Sequence, residues 1–521
     1  MKKAIALVLM MSMCISTFLG CTSKTDKGED DASSEVSSTN KETVRLKVFM
    51  SASTNKVQPD KMPFYTDLQA KTGVGLDFEV VTQNASERIS LMFASEEFPD
   101  IMLKGASESQ ITEAIEGDKV VALDELVDKH CPTWKALLQK DDYVKKIAIS
   151  KDGKIWALPL VRQEDSNSGI RDLWLINKTW LAELGLKMPK TTDDFYNVLK
   201  AFKDNAGKGS IPKNVIPWAV RFNAYSNGGE YEIYSSFGVF TPGSPNFISV
   251  DDKGKVIFSA VDPKMKEPIK YLNKLYKEGL ILPEMFTDNV SAYDSKVLSQ
   301  PPMVGVAMKY YGWDLNEKNY TAMPPLYGPD GQKPMYRQQT NAIQRNAFVV
   351  FKNNKYLPET MKVAEYIAQP ENSIQALYGP VGSHINKTDK GYSQIELSGD
   401  MLNVVPDVNL PVIITPDTMK NFTYNGLHQQ RSEYIKNIYK EYVAPIERFY
   451  PPLVFTEKQS AALQDIQTDL LNYIKETHAR WIVDGNIDNE WDAYIKKIKD
   501  LKMDSMIKVY QEALDTFNGK K

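Results

Sequence analysis

Seven aromatic residues stand out for where the sequence places them. Trp156, Trp174, Trp218, Tyr311, Trp313, Tyr378 and Tyr424 fall at the ends of predicted strands or in loops, not on helix stripes. An aromatic face in such a position can stack on the apolar face of a sugar ring, whose hydroxyl rim then calls for Asp, Asn, Gln or Arg nearby. The densest local cluster is KYYGWD (309–314), directly after a predicted strand. Arg221, in RFNAY (221–225) behind Trp218, offers a guanidinium fork to a carboxylate. That carboxylate belongs either to an acidic ligand or to the protein itself. Lys104, ending the predicted strand IMLK, has the same two readings. His384, in the loop VGSHI, is either a ligand contact or a structural histidine, and each aromatic ring taken alone reads more readily as core.

Other chemistries find little support. The histidines at 130, 384, 428 and 478 have no HExxH-type spacing, so a histidine metal site is not expected. There is no G-x-S-x-G elbow and no glycine-rich phosphate loop. The carboxylates of DGNIDNEWD (484–492) suit the start of a helix, where acids are favoured. A pair of carboxylates able to cleave a glycosidic bond stays open, because acids are plentiful.

The N-terminus states where such a site would work. Lys2 and Lys3 precede the apolar run Ala4–Leu19, which is shorter than a membrane span and suits the core of an export signal over residues 1–20. Gly20-Cys21 then resembles a bacterial lipobox, although the places usually held by Leu and by Ala or Ser hold Phe18 and Leu19. The expectation is lipidation at Cys21. Residues 22–42 are almost wholly polar and read as a flexible tether. Cys14 would leave with the signal and Cys21 would carry lipid, so Cys131 is left without a disulfide partner.

Composition bounds the class. The formal net charge of −4 becomes −6 once Lys2 and Lys3 are removed, which leaves no basic excess for nucleic acid. No second apolar run is long enough to cross a membrane. Aromatic residues make up 10% of the chain; most must be core, while an exported protein rich in Trp and Tyr also suggests sugar stacking. Without disulfides the fold rests on packed cores, and the length calls for more than one domain.

The elements that must position these residues alternate in type. Val44, Leu46, Val48 and Met50 keep strand spacing, and VGLDFEVV (74–81) is a second strand. Asn84 and Glu87 have the spacing of a capping box before a helix with Ile89, Met92 and Phe93 on its buried face. IMLK, KIWALPLV (154–161), DLWLIN (172–177), MVGVAM (303–308) and NAFVVFK (346–352) are further strands. Between them lie a helix from Thr191 with Phe195, Val198, Leu199 and Phe202 on one face, and a helix MKEPIKYLNKLYKEGL ending at Gly279. Near the C-terminus, Thr456 and Gln459 cap a helix striped by Leu463, Ile466, Leu470, Tyr473 and Ile474. The rhythm predicts α/β architecture with mostly parallel sheets.

In this order the segments resemble an extracellular solute-binding lipoprotein of a carbohydrate ABC transporter, related to the alginate-oligosaccharide-binding proteins. The match is carried by KTGVGLDFEVVTQNASERISLMFASEEFPDIM (71–102), VVALDELVDKHCPTWKALL (120–138), GKIWALPL (153–160), LWLINKTWLAELGLKMPKTTDDFYNVLKAFKD (173–204), LYGPVGSHI (377–385) and residues 461–501. The resemblance implies a two-lobed periplasmic-binding-protein-like α/β fold. Its N-terminal lobe is expected from 43–162 plus 301–368, and its C-terminal lobe, with a helical extension, from 163–300 plus 369–521. It further implies a monomeric, non-enzymatic receptor that captures an oligosaccharide between the lobes and delivers it to a membrane permease at the outer face of the cell membrane. A sensor or receptor for another solute, or a glycan-degrading enzyme, remains an alternative. Relatives often carry a calcium loop after the helix ending near residue 203. Here KDNAGKGSIPKNVIP keeps Asp204 and Asn205, lacks the later acids and introduces Lys208 and Lys213. A plain loop and no cofactor are expected.

Overall fold

The computed structural model describes residues 43–520 apart from Lys104, Lys151, 164–169, Arg171, 243–246, 311–317, 338–342, Ser398, 407–409 and Val454. Ten of the described strands form the two main sheets. They are β1 (Arg45–Ser51), β2 (Gly75–Val81), β3 (Ile101–Leu103), β4 (Ala157–Arg162), β5 (Leu173–Asn177), β6 (Ile216–Trp218), β7 (Val304–Lys309), β8 (Tyr320–Ala322), β9 (Ile343–Val350) and β10 (Ile413–Ile414). The first sheet runs β10-β4-β9-β3-β1-β2 and the second β8-β5-β7-β6. Each sheet has one reversed strand. β9 is antiparallel to β3 and β4, and β5 is antiparallel to β7 and β8.

Strand alternation builds the first core on both faces of its sheet. Leu46, Val48 and Met50 enter one apolar cluster, while Phe49 enters another with Ile89, Met92, Met102 and Val349. A sheet covered on both sides reads as a nearly continuous apolar strand, which VFM at 48–50 shows. A separate cluster surrounds the second sheet. It holds Leu173–Ile176, the predicted stripe Phe195, Val198, Leu199 and Phe202, and Leu463, Ile466, Leu470, Ile474 and Trp481 from the C-terminal helices. Two sheets with two cores make the two lobes.

Local signals set most helix ends. Thr191 and Asp194 form a capping box at the helix Thr192–Asp204, and Thr456 with Gln459 forms one at the helix Glu457–Asp484. Gly279 takes φ 61 just past the helix Lys266–Lys277, where a side chain would be strained. The expected box at Asn84 and Glu87 is absent. Asn84 sits at φ 53, outside the extended conformation an N-cap needs, and makes no side-chain cap bond.

Sheet membership departs from the expected segments in two places. β7 and β8, within 301–368, pair with β5 in the second sheet, and β10, within 369–521, pairs with β4 in the first. The chain therefore crosses between lobes at 162–173, at 336–343 and between Phe422, in the first core, and Ile435, in the second. Pairing partners decide this, and an apolar strand carries no mark of which sheet it will join. The strand expected at 346–352 instead spans 343–350, with a bulge between Gln344 and Phe348 where Asn346 takes φ 55. Among the described residues no helix is long and apolar enough to cross a membrane.

Candidate functional site

The crossings define an edge. β5 begins where the chain arrives from Arg162, and Leu173 pairs with Lys309, so β7 ends at the same edge. β6 is parallel to β7 and ends there too. In the first sheet Ile343 faces Val161, so β9 starts beside the end of β4. Strand ends of open α/β sheets at such a point are where ligands bind.

The loop after β6 is the most elaborate feature of this edge. The Arg221 guanidinium donates from Nε to the Asp288 carbonyl at 3.2 Å, and from Nη1 to the carbonyls of Ser226 at 3.2 Å and Asn227 at 3.1 Å. Its amide donates to the Gly228 carbonyl at 2.7 Å. At the other side of the loop, the Glu230 carboxylate accepts the Asn223 amide at 2.9 and 3.0 Å, and the Tyr231 hydroxyl donates to Asn223 Oδ1 at 2.6 Å. The backbone takes positive φ at Asn223 (56), Asn227 (54) and Gly228 (97). A Cβ on Gly229 would lie 1.9 Å from the Ala224 carbonyl oxygen, so only glycine fits there. The loop is thus tied at both sides of its base, and Asn223, Tyr225, Ser226 and Asn227 remain exposed or half-buried at its tip.

The crossing segments fasten to this loop. The Asp172 carboxylate, just before β5, accepts the Asn227 amide at 2.6 Å, and the Tyr336 hydroxyl donates to the Asp172 carbonyl at 2.7 Å. Arg337, at the start of the second crossing, pairs through Nε with Glu232 at 2.5 Å and donates through Nη2 to the Tyr225 carbonyl at 3.0 Å. Its guanidinium carbon lies 5.2 Å from the Tyr225 ring centre and 5.4 Å from that of Tyr231. Burial pushes the Glu230 carboxyl up to about 7, against the hydrogen bonds it accepts. Burial also pushes Glu232 up, opposed by the Arg337 charge beside it.

An aromatic ladder spans the third crossing. The Tyr378 and Tyr424 hydroxyls lie 3.2 Å apart, Tyr424 stacks on His428 at 6.3 Å, and His428 meets Tyr310 at 6.5 Å. Tyr310 follows β7 in the second lobe, and the Arg431 guanidinium covers its ring at 4.1 Å while also donating to the Ile170 carbonyl. Tyr378 belongs to the first core. The ladder therefore links both lobes through the helix Gly426–Tyr434.

Of the residues expected to touch ligand, Arg221 lies at this edge but is engaged by loop carbonyls, and Tyr378 and Tyr424 are joined in the ladder. Trp174 and Trp218 are core. They are 2% and 1% exposed and pack on each other at 5.4 Å and on Phe195. Strand alternation turned both rings under the helix Thr192–Asp204, which leaves no face for stacking. Trp156 precedes β4, at the end away from the crossing, and its indole donates to Asp152 at 2.9 Å. His384 is buried, held by Ser383 at 2.9 Å and the Met401 carbonyl at 2.7 Å, and a Cβ on Gly379 would come within 2.5 Å of its ring. It is structural. Lys104, Tyr311, Trp313 and Cys21 lie outside the described residues. Sequence reasoning did not single out Asp172, Tyr225, Glu230, Glu232, Arg337 or Arg431. The NAYSNGGE run carried a loop signal in its asparagines and glycines, but nothing local marks a buried carboxylate.

In the 203–217 loop two oxygen-bearing side chains face lysines. Lys208 places its ammonium 3.1 Å from Asn205 Oδ1, and Asp204 pairs with Lys200 at 3.4 Å. Asp204, Asn205 and Asn214 are the acidic and amide positions of the loop, the first two already face lysines, and calcium needs six to eight oxygens.

Comparison with known proteins places this architecture. The profile of the bacterial extracellular solute-binding protein family matches residues 51–374. The fructooligosaccharide ABC transporter substrate-binding protein FusA of Streptococcus pneumoniae is 28% identical over 538 residues, covering 98% of both chains. The solved structure of FusA with kestose is similar over 92% of this chain and 100% of that one, at 26% identity and a TM-score of 0.78. An HMO-binding, ABC-transporter-associated solute-binding protein from Bifidobacterium longum infantis shares the fold over 92% of this chain and 100% of its own, with a TM-score of 0.79 at 22% identity. The alginate-binding protein AlgQ2 shares it over 91% and 98%, with a TM-score of 0.67 at 19% identity.

Proposed function

The chain belongs to the bacterial extracellular solute-binding protein family, and from that membership we propose that it captures an oligosaccharide outside the cell and delivers it to the permease of an ABC importer. The observation that carries the reading is the tied loop 221–230 at the crossing edge. It presents amides and a tyrosine ring whose conformation is set before any ligand arrives, which lowers the ordering cost of binding. End-to-end similarity to a fructooligosaccharide-binding protein supports the same class of ligand. Hinge bending about the three crossings would close the lobes on it.

The remaining parts follow from the sequence. Cys21 would carry the lipid and residues 22–42 the tether, holding a monomeric receptor at the outer face of the membrane beside its permease. The protein would release its ligand unchanged, and its 204–213 loop would hold its shape without calcium. Titration calorimetry against a panel of oligosaccharides, followed by chromatography of the recovered sugar, tests the reading. Micromolar or tighter binding with intact recovery is expected. Shortened sugar would make the protein an enzyme, and no heat from any glycan would remove the carbohydrate reading.

A further inference from the structure

We propose that the C-terminal helix Met503–Phe517 is a strut between the lobes. The seat of Phe517 on Tyr143 and Lys146 holds them in the arrangement that leaves the 221–230 loop accessible, and closure on an oligosaccharide has to break it. The inference rests on the receptor reading above and adds what sets the affinity of that same site.

The helix belongs to the second lobe except at its tip. Met506, Tyr510 and Leu514 lie in the core around the second sheet. The Tyr450 hydroxyl donates to the Tyr510 carbonyl at 2.8 Å, and the Val256 amide donates to the Gln511 side chain at 2.8 Å. Phe517, the last residue of the helix, packs instead against the core of the first sheet. Its ring meets Tyr143 edge-on with centres 6.4 Å apart, and the Lys146 ammonium lies 5.8 Å from its centre. Tyr143 and Lys146 stand on the helix Asp142–Ala148, whose Val144 and Ile147 are in that first core.

Two cavities flank the ring. One, of about 490 Å³, lies between Ile149 and Arg345 of the first lobe and Leu453 and Thr516 of the second. The other, of about 620 Å³, lies between Tyr143 and the segment around Ile446 and Arg448. Asp142, Lys146 and Phe517 line both. Packed interiors leave few voids larger than a water molecule, so the lobes can part here without opening either core.

Both walls of the gap are tied to the crossings. Asp141, which caps the helix Asp142–Ala148, accepts the Gln163 side-chain amide at 3.0 Å, at the start of the first crossing. On the other wall the Tyr336 amide donates to the Tyr442 carbonyl at 2.6 Å and the Ala444 amide to the Tyr336 carbonyl at 2.9 Å, beside the second crossing. Bending about the crossings therefore moves the two walls against each other. In this arrangement Asn223 is exposed and Tyr225, Ser226 and Asn227 are half-buried, so a ligand reaches the loop while Phe517 is seated. Bringing the first lobe over the loop unseats it, and the apparent affinity is the intrinsic one reduced by the cost of that step.

Calorimetry of the whole chain with kestose, maltotriose, xylotriose and mannotriose, beside small-angle scattering of the unliganded protein, tests the strut. Phe517→Ala removes the seat and leaves both lobe cores alone. The best-bound trimer is expected to bind it about three- to tenfold tighter, the range an aromatic contact supplies, and its radius of gyration without sugar is expected to shrink. Phe517→Trp fills space beside the seat and should bind at least threefold more weakly. A merely structural residue would not move affinity in opposite directions. A Phe517→Ala protein that binds like the native one or more weakly would overturn the strut and leave the oligosaccharide reading standing. Silence from every trimer would sink that reading, and scattering would then decide the strut by itself: a smaller radius of gyration for Phe517→Ala keeps it and an unchanged one removes it.

Discussion

Replacing Arg221 by methionine keeps the length of the side chain and removes its donors. The guanidinium makes three hydrogen bonds, to the carbonyls of Ser226, Asn227 and Asp288. Bonds to charged groups contribute about 1.5–3 kcal/mol each when buried. Arg221 is half-buried, so water will take over part of that role, and a net loss of about 2–3 kcal/mol is the reasonable figure for the loop as a unit. Even in full, this moves the melting temperature only slightly. A chain of this size has an unfolding entropy near 1 kcal/mol per degree, so the melting temperature should fall by only about 2–3 °C. The larger effect belongs to binding. If the variant loop spends most of its time out of its binding shape, the apparent affinity drops by the fraction that remains competent. Two to three kcal/mol corresponds to roughly 30- to 150-fold in Kd. Arg221→Lys should recover part of this, since one ammonium cannot reach all three carbonyls in a fixed fork. Calorimetry with the tightest sugar from the panel, beside differential scanning fluorimetry, reads both quantities. An Arg221→Met protein that binds within twofold of the native one would refute the claim that this loop is held ready for ligand by its arginine.

Glu230 supplies a pH signature. Its carboxyl is raised from 4.5 to about 7 by burial, so the folded state holds a proton that the unfolded state has released. Its contribution is therefore full below about pH 4.5 and is lost as pH rises to about 7, a total of about 3 kcal/mol. His478 acts oppositely, because burial lowers it to about 3 and the folded state loses stability as pH falls below 6.5. Stability of Glu230→Gln relative to wild type should then increase by about 1.4 kcal/mol per pH unit between pH 5 and 6.5, read from urea melts; parallel pH profiles would contradict the burial argument. Trp218→Phe should lower stability by about 1–3 kcal/mol and leave sugar affinity within twofold, since the ring packs on Trp174 and Phe195; a large affinity loss with a native melt would restore it as a stacking platform. Chelation by EDTA should shift the melting temperature by less than about 1 °C, because Lys208 already occupies the Asn205 oxygen; a drop of several degrees, restored by calcium, would show a bound metal.

Most secondary structure was legible because it is local. The stripe Phe195, Val198, Leu199 and Phe202 is a 3.6-residue period, and all four residues are buried where the period puts them. Thr456 and Gln459 close their capping box because only four residues take part. Asn84 shows the limit of that reasoning, since its spacing was right but its backbone takes the left-handed conformation, which no spacing reveals. The site was harder to read. Trp174 and Trp218 stand at strand ends in sequence, but which face of a strand meets a helix is settled across the sheet. Arg221 was found and its partner was not, because the acceptors are backbone carbonyls that carry no residue identity.

The alternation of strands and helices and the family resemblance follow from order and composition alone, since each depends on neighbours in the chain. The lobe to which β7 and β10 belong, the three crossing points and the closing of Arg337 on Glu232 required the folded chain. Those contacts join residues about 90 to 250 positions apart. Their energy depends on burial and on which partners meet there, and neither quantity exists until the sheets have paired.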